Sequence, residues 1–237
     1  MDYKRFFTFE PVIDNKIILN GDEFYHAAKV LRIKKGFKII VNDNTDKDYY
    51  CAVESVGKNF LVAEIEKTEI NPAYGDTDIT LYIGICKELD TVVQKAVELG
   101  VTKLVPFSSQ HTNIKNVNYD RLNRIILESS KQCGRPNLMS LGKLTSLLSA
   151  FEDADKEERA NLLFYEYERE NRIKDIDLSS AQKIALYIGG EGGFSVEEIQ
   201  KAKQKGFNIL TLGKRILRVP TAVVSALTLC LQGMDKL

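Results

Sequence analysis

The chain has 237 residues, 44% of them apolar, with 33 basic and 33 acidic side chains. That is ample apolar material for one large or two ordinary cores, and the neutral balance gives no support for a globally basic nucleic-acid binder, so any such contact has to be a local patch. No run approaches the roughly 18 apolar residues of a membrane span, the charged start Met1-Asp2-Tyr3-Lys4-Arg5 lacks a signal-peptide core, and four scattered cysteines without a CxxC pair point to a reduced, cytoplasmic setting rather than a disulfide framework or a zinc site.

In chain order, Lys16–Leu19 reads as a strand that ends at the turn signal Asn20-Gly21. A short helix opens at Asp22, a candidate N-cap. Phe37–Val41, Tyr49–Val53 and Phe60–Ile65 read as further strands with turn residues between them, the spacing of a small β-barrel. The turn-rich stretch Ile70-Asn71-Pro72-Ala73-Tyr74-Gly75-Asp76 marks a linker, so the expected division is 1–70 and 76–237. Beyond it strands alternate with longer helices. Strands are expected at Thr80–Ile85, Lys103–Phe107, Asn161–Tyr165, Ile184–Ile188 and Asn208–Leu212, and helices at Asp90–Leu99, Arg121–Cys133 and Pro220–Leu231. This alternation predicts an α/β domain with a mainly parallel sheet, whose ligands sit beyond the carboxyl ends of the strands.

Two loops at such ends carry the chemistry. Gly189-Gly190-Glu191-Gly192-Gly193 follows one strand and precedes Ser195-Val196-Glu197-Glu198, an N-cap with its capping-box partner. Four glycines in five positions allow backbone N–H groups to approach a ligand at a helix N-terminus. The spacing is neither that of a P-loop nor of a dinucleotide fold. Glu191 reads as a base, as an acceptor for ligand hydroxyls, or as an ion-pair partner of Arg215 or Arg218. The second loop, Leu212-Gly213-Lys214-Arg215-Ile216-Leu217-Arg218, puts two arginines three residues apart, each able to fork onto phosphate or carboxylate. Between Val30 and Lys38 the first domain carries Arg32, Lys34, Lys35 and Lys38 with no acid, either a solvated helix end and turn or an RNA-contact patch. Cys133 reads as packing, and His26 and His111 are too isolated for a metal site or a triad.

Five segments in order resemble the RsmE family of 16S ribosomal RNA uridine-N3 methyltransferases. They are His26-Ala27-Ala28-Lys29-Val30-Leu31-Arg32, Gln94-Lys95-Ala96-Val97-Glu98-Leu99-Gly100-Val101, Gln132-Cys133-Gly134-Arg135, Ile188–Ser195 and Leu212–Arg218. The resemblance implies an N-terminal PUA-like RNA-binding barrel and a C-terminal SPOUT domain closed by a trefoil knot. It implies S-adenosylmethionine as methyl donor, 16S rRNA or the 30S subunit as partner, and a homodimer. By the same resemblance Gly189, Gly190, Glu191, Gly192, Gly193, Leu212, Gly213, Ile216 and Leu217, with the segment after Phe164, hold the cofactor. Arg215, Arg218 and Glu191 serve the transfer, and Lys29, Arg32, Lys34, Lys35 and Arg135 face RNA. The chain departs from the family at Gln110-His111 and at Val219-Pro220, where it lacks Glu-Arg and an acid respectively. The alternatives are a related knotted methyltransferase acting on a ribose 2′-hydroxyl or on tRNA, and a non-catalytic RNA-binding protein of the same fold.

Overall fold

A computed structural model describes residues 3–75, 77–112, 116–156 and 158–237 of the chain. Two compact units emerge, Met1–Gly75 with Leu127–Leu138, and Asp76–Ile126 with Met139–Leu237.

In the first unit the alternating apolar runs pair into one sheet. Its strands are β1 (Lys4–Phe7), β2 (Lys16–Leu19), β3 (Lys38–Asn42), β4 (Lys47–Val56) and β5 (Leu61–Ile70), in the order β1-β3-β4-β5-β2. All neighbours are antiparallel except β1 and β3. Sequence reasoning missed β1, because Lys-Arg-Phe-Phe does not alternate. Phe6, Ile17, Leu19, Ile39, Val41, Leu61 and Ala63 fill the core. Between β2 and β3 lies α1 (Gly21–Tyr25), prolonged by one wider turn, His26–Val30. Its cap is Asn20 rather than Asp22, and the Asn20 amide is used elsewhere, donating to Glu10 Oε1 at 3.0 Å. Asp22 sits instead in the first turn, where its charge suits the helix dipole.

Buried charge braces this unit. Asp48 accepts from Arg5 (2.5 and 3.0 Å), Asn42 (2.6 Å) and Asn71 (2.8 Å). Lys131 donates to Glu23 at 2.7 Å and to Glu128 at 2.7 Å, and Glu23 also accepts the Phe7 N–H at 2.9 Å. Glu23, His26 and Glu128 bring three potential ligand atoms within 4.8 Å of one another. The Lys131 ammonium already pairs with both carboxylates and occupies the donor position between them.

The second unit carries a parallel sheet. Its strands are β6 (Asp78–Gly84), β7 (Lys103–Ser108), β8 (Ser140–Leu141), β9 (Thr145–Ser146), β10 (Ala160–Phe164), β11 (Lys183–Ile188) and β12 (Asn208–Leu210). The order is β12-β10-β11-β6-β7-β8, with β9 beside β7. The two-residue strands β8 and β9 are too short to carry a period and escaped the sequence reading. β6 and β11 are central and covered on both faces, which is why their sequences are nearly continuous apolar runs. On β11, Ala185 and Tyr187 join Phe151, Phe194 and Phe207 in one core cluster, and Tyr187 stacks on Tyr82 with centroids 4.5 Å apart.

Among the described residues the further α-helices are α2 (Leu89–Glu98), α3 (Tyr119–Cys133), α4 (Leu147–Glu152), α5 (Val196–Gln204) and α6 (Val219–Gly233). α2 buries Val92, Val93, Ala96 and Val97, the apolar face read from the sequence, and stops before Gly100 at φ +78°. The expected capping box of α5 is present, with Ser195 Oγ accepting from the Glu198 N–H and Glu198 accepting from the Ser195 N–H. α6 begins with Pro220 in its first turn and packs on α2 and β11.

Candidate cofactor cleft and active site

β12, β10 and β11 are neighbours and parallel, so their carboxyl ends, Leu210, Phe164 and Ile188, lie along one edge of the sheet. The loops that leave them line one cleft of about 320 Å³. Its apolar wall is Phe164, Ile188, Leu212, Ile216 and Leu217, and backbone from Gly189, Gly190, Gly193 and Gly213 adds polar groups. Glu88, Glu166, Glu191, Arg215 and Arg218 are its charged members. The Thr211 hydroxyl accepts from the Gly213 N–H at 3.1 Å and sets the turn of the third loop.

The structure therefore gathers Gly189, Gly190, Glu191, Gly193, Leu212, Gly213, Ile216 and Leu217, together with Arg215 and Arg218, around one space. Gly192 departs from this set. It lines an adjoining hollow with Lys87, Ser109 and His111. Glu166, Glu88 and Thr211 were not singled out by sequence reasoning. Glu166 left a signal, an acid two residues past the apolar strand β10. Glu88 left none, because it is 103 positions from Glu191 and only the sheet order brings both to one cleft.

The glycines also have a packing reason that the sequence does not show. β6 passes so close to the first loop that a Cβ on Gly84 would collide with the Gly190 amide nitrogen, and one on Gly190 would lie 2.7 Å from the Ile85 carbonyl. Gly193, at φ +62°, lies against the Glu166 carboxylate with no room for a side chain. A Cβ on Gly192 would meet His111 Cβ at 2.5 Å. Protein neighbours thus constrain Gly190 and Gly192, while backbone of Gly189, Gly190 and Gly193 lines the cleft.

Of the readings of Glu191, the ion pair with an arginine is corrected. Glu191 Oε1 accepts the Lys87 backbone N–H at 2.8 Å, pinning the glycine loop to the β6–α2 connection. Arg218 meets Glu88 instead, at 3.5 Å, with the arginine side chain 86% exposed. Cys86, beside Lys87, is buried and its thiol is pushed up to about 12, so it is inert packing at neutral pH.

In the first unit Lys29, Arg32, Lys34 and Lys35 are all exposed, close in sequence to the exposed apolar side chains of Tyr25, Val30 and Phe37. Arg32 holds φ +54°, uncommon for a residue with a side chain. Arg135 does not join them. It is buried, 5% exposed, its Nε donates to Asn137 Oδ1 at 3.1 Å, and burial lowers its pKa. A guanidinium enclosed in this way is a packing element, not an RNA-facing group.

A family model described as an RNA methyltransferase domain matches residues 74–231, and one described as an RNA methyltransferase PUA domain matches residues 19–66. The ribosomal RNA small subunit methyltransferase E of Aquifex aeolicus is 33% identical over 91% of this chain and 93% of its own length. That of Rickettsia conorii is 30% identical over 96% and 94%. The chain belongs to the RsmE family of RNA methyltransferases. Among solved structures of RsmE type, the Neisseria gonorrhoeae enzyme bound to S-adenosyl methionine superposes with a TM-score of 0.88 at 26% identity, covering 98% of both chains. A methyltransferase from Legionella pneumophila in complex with the same cofactor gives 0.86 at 26% identity, again over 98% of both. The RsmE fold accounts for both units, an N-terminal PUA-like sheet and a SPOUT-like parallel sheet. No helix among the described residues is long and apolar enough to cross a membrane.

Proposed function

We propose that this RNA methyltransferase moves a methyl group from S-adenosylmethionine to N3 of a uridine in 16S ribosomal RNA, position 1498 of the small-subunit RNA, in free RNA or in the 30S subunit. The observation that carries the reading is the single cleft at three adjacent strand ends, in a chain whose relatives are small-subunit RNA methyltransferases. Its residues fit the cofactor. The apolar wall of Phe164, Ile188, Leu212 and Leu217 suits a purine, the loops offer backbone donors and acceptors, and both signs of charge are present for an amino-acid end.

The bound cofactor supplies an electrophilic methyl carbon on a sulfonium. The protein's own task is to orient the uracil ring and favour loss of the N3 proton. Arg215 and Arg218, at the cleft and free to swing, stabilise the negative charge that spreads to the uracil oxygens as that proton leaves. Glu191, fixed through the Lys87 N–H, positions the base edge or accepts the proton. The uridine has to be single-stranded or flipped to expose N3. Lys29, Arg32, Lys34 and Lys35 hold RNA phosphates. In the same reading 1–70 is the RNA-binding domain and 76–237 the catalytic domain, with α6 threading a trefoil knot. Two cytoplasmic copies pair across the half-buried outer face of α6, where Val224, Thr228 and Leu229 lie.

The test is titration with S-adenosylmethionine followed by incubation with 30S subunits and with free 16S RNA, then nucleoside analysis. N3-methyluridine at one position is the expected product. A 2′-O-methyl nucleoside would move the enzyme to the other branch of knotted methyltransferases, and a wild-type protein that binds no cofactor would remove the catalytic reading.

A further inference from the structure

Three acids line the cleft, and two are engaged. Glu88 faces Arg218, and Glu191 accepts from the Lys87 N–H. Glu166 differs. Its backbone carbonyl accepts from Arg169 Nη1 at 3.1 Å, yet its carboxylate has no hydrogen-bond or ion-pair partner among the described residues. It is half-buried and rests against the Cα of Gly193, where both carboxylate oxygens and Cδ fall within the space a Cβ would claim. Phe164 and Ile188, the last residues of the two strands beside it, are buried and apolar.

A carboxylate so placed is solvated only while the cleft is open. A ligand that fills the cleft strips water from it, and leaving the charge unpaired costs several kcal/mol. The ligand must therefore bring donors to this point. We infer that Glu166 accepts hydrogen bonds from the two ribose hydroxyls of the cofactor and fixes the nucleoside half of it; this rests on the reading of the cleft as the S-adenosylmethionine site. Vicinal hydroxyls present two donors side by side, which two carboxylate oxygens take together, and O–H···O⁻ bonds are among the strong ones. The adenine edge fits worse, since its amino donor stands next to the N1 lone pair. The amino-acid end carries an ammonium, but beside it a carboxylate, which Glu166 repels and Arg215 attracts. Gly193 belongs to the same device: only a residue without a side chain leaves the Glu166 carboxylate its seat.

The experiment is calorimetric titration of wild type, Glu166→Gln and Gly193→Ala with three ligands: S-adenosylhomocysteine, 5′-methylthioadenosine, which keeps the ribose and lacks the amino acid, and its 2′-deoxy analogue. Melting curves verify that each variant is folded, and Glu166→Asp serves as a second variant if Glu166→Gln is not. In Glu166→Gln both S-adenosylhomocysteine and methylthioadenosine should weaken by about tenfold or more. The deoxy analogue should weaken far less, so that the wild type's preference for the full ribose largely disappears. Gly193→Ala should shift affinities in the same direction. Unchanged affinity for methylthioadenosine in Glu166→Gln overturns the inference: with S-adenosylhomocysteine weakened, Glu166 binds the amino-acid end, and with both unchanged it touches neither. A wild type that binds none of the three ligands overturns the cofactor reading itself, an outcome distinct from either.

Discussion

The two units use charge in opposite ways. In the first, the bracing charges, unlike its exposed basic patch, are closed off: Asp48 has four donated bonds from three side chains, and the Glu23–Lys131 pair is 9% and 7% exposed. In the second, the cleft charges are open: Arg218 is 86% exposed with one contact at 3.5 Å, and Glu166 offers its carboxylate to the space. Buried charge that is fully paired tolerates nothing being taken away, because the partner is left behind without water. Charge held at a cleft in a half-satisfied state costs little in the absence of ligand and is repaid on binding. The first arrangement stabilises a fold; the second stores recognition for something not yet there. The difference can be broken or sharpened by mutation.

The largest effect belongs to the closed side. Lys131→Met leaves the Glu23 carboxylate buried with only the Phe7 N–H, and should cost about 3–5 kcal/mol of stability in urea unfolding. Cofactor affinity of the folded protein should not change. Adding Glu23→Gln should recover part of the loss, since the stranded charge is then gone. A cost under about 1 kcal/mol for Lys131→Met would mean that water reaches the pair, and the contrast would dissolve.

On the open side Arg218→Ala should lower methyl transfer in single-turnover assays about a hundredfold, equivalent to about 2.7 kcal/mol of barrier. Cofactor affinity should stay within about twofold and the melting temperature should not move, because an exposed side chain contributes little to the fold. Near-normal rates would remove Arg218 from charge stabilisation.

Acid should find the closed side first. Burial alone would raise the Asp48 pKa, but donation from Arg5, Asn71 and Asn42 outweighs it and holds the carboxyl below its ordinary value. The folded pKa is thus depressed. Its stabilisation is complete above the unfolded value, near about pH 4, and is lost as pH falls through the folded one. Asp48→Asn should cost about 1–3 kcal/mol at neutral pH and flatten the acid limb of the stability curve, measured by denaturant midpoints between neutral and acid pH. An unchanged acid limb would assign the acid sensitivity to other carboxylates.

How much of this was legible follows the range of each signal. Local periodicity and caps were: the apolar face of α2, the capping box at Ser195 and Glu198, and the start of α6 at Pro220 all stand where expected. So were the two loops, since a glycine run and an arginine-rich turn are contiguous. Long-range facts were not. Nothing near Arg135 in sequence shows that it is enclosed, and an exposed or a buried arginine reads the same. The glycines were seen, and three of the four line the cleft, but their packing was not legible: Gly84 crossing Gly190, and His111 crowding Gly192, come from segments about 80 to 105 residues away. For that reason a side chain at Gly192 is a poor probe of the cofactor site. It would push on His111 in the neighbouring hollow before it touched the cleft.

The smallest expected effect tests the open side at its weakest link. Among the described residues Glu88 is the only side-chain partner of Arg218, and the pair spans 3.5 Å between an arginine that is 86% exposed and a glutamate that is 36% exposed. In water such a pair gains little Coulomb energy and loses side-chain freedom, so Glu88→Ala should change stability by less than about 0.5 kcal/mol. Methyl transfer should fall no more than about threefold, because Arg218 finds its orientation against the developing negative charge of the substrate rather than against Glu88. Salt titration should confirm the same weakness, since screening of an exposed pair is nearly complete at about 1 M. A tenfold loss of rate in Glu88→Ala, with cofactor affinity intact, would mean that the pair pre-orients the arginine. The cleft would then share with the first unit the habit of holding its charges in place before they are used.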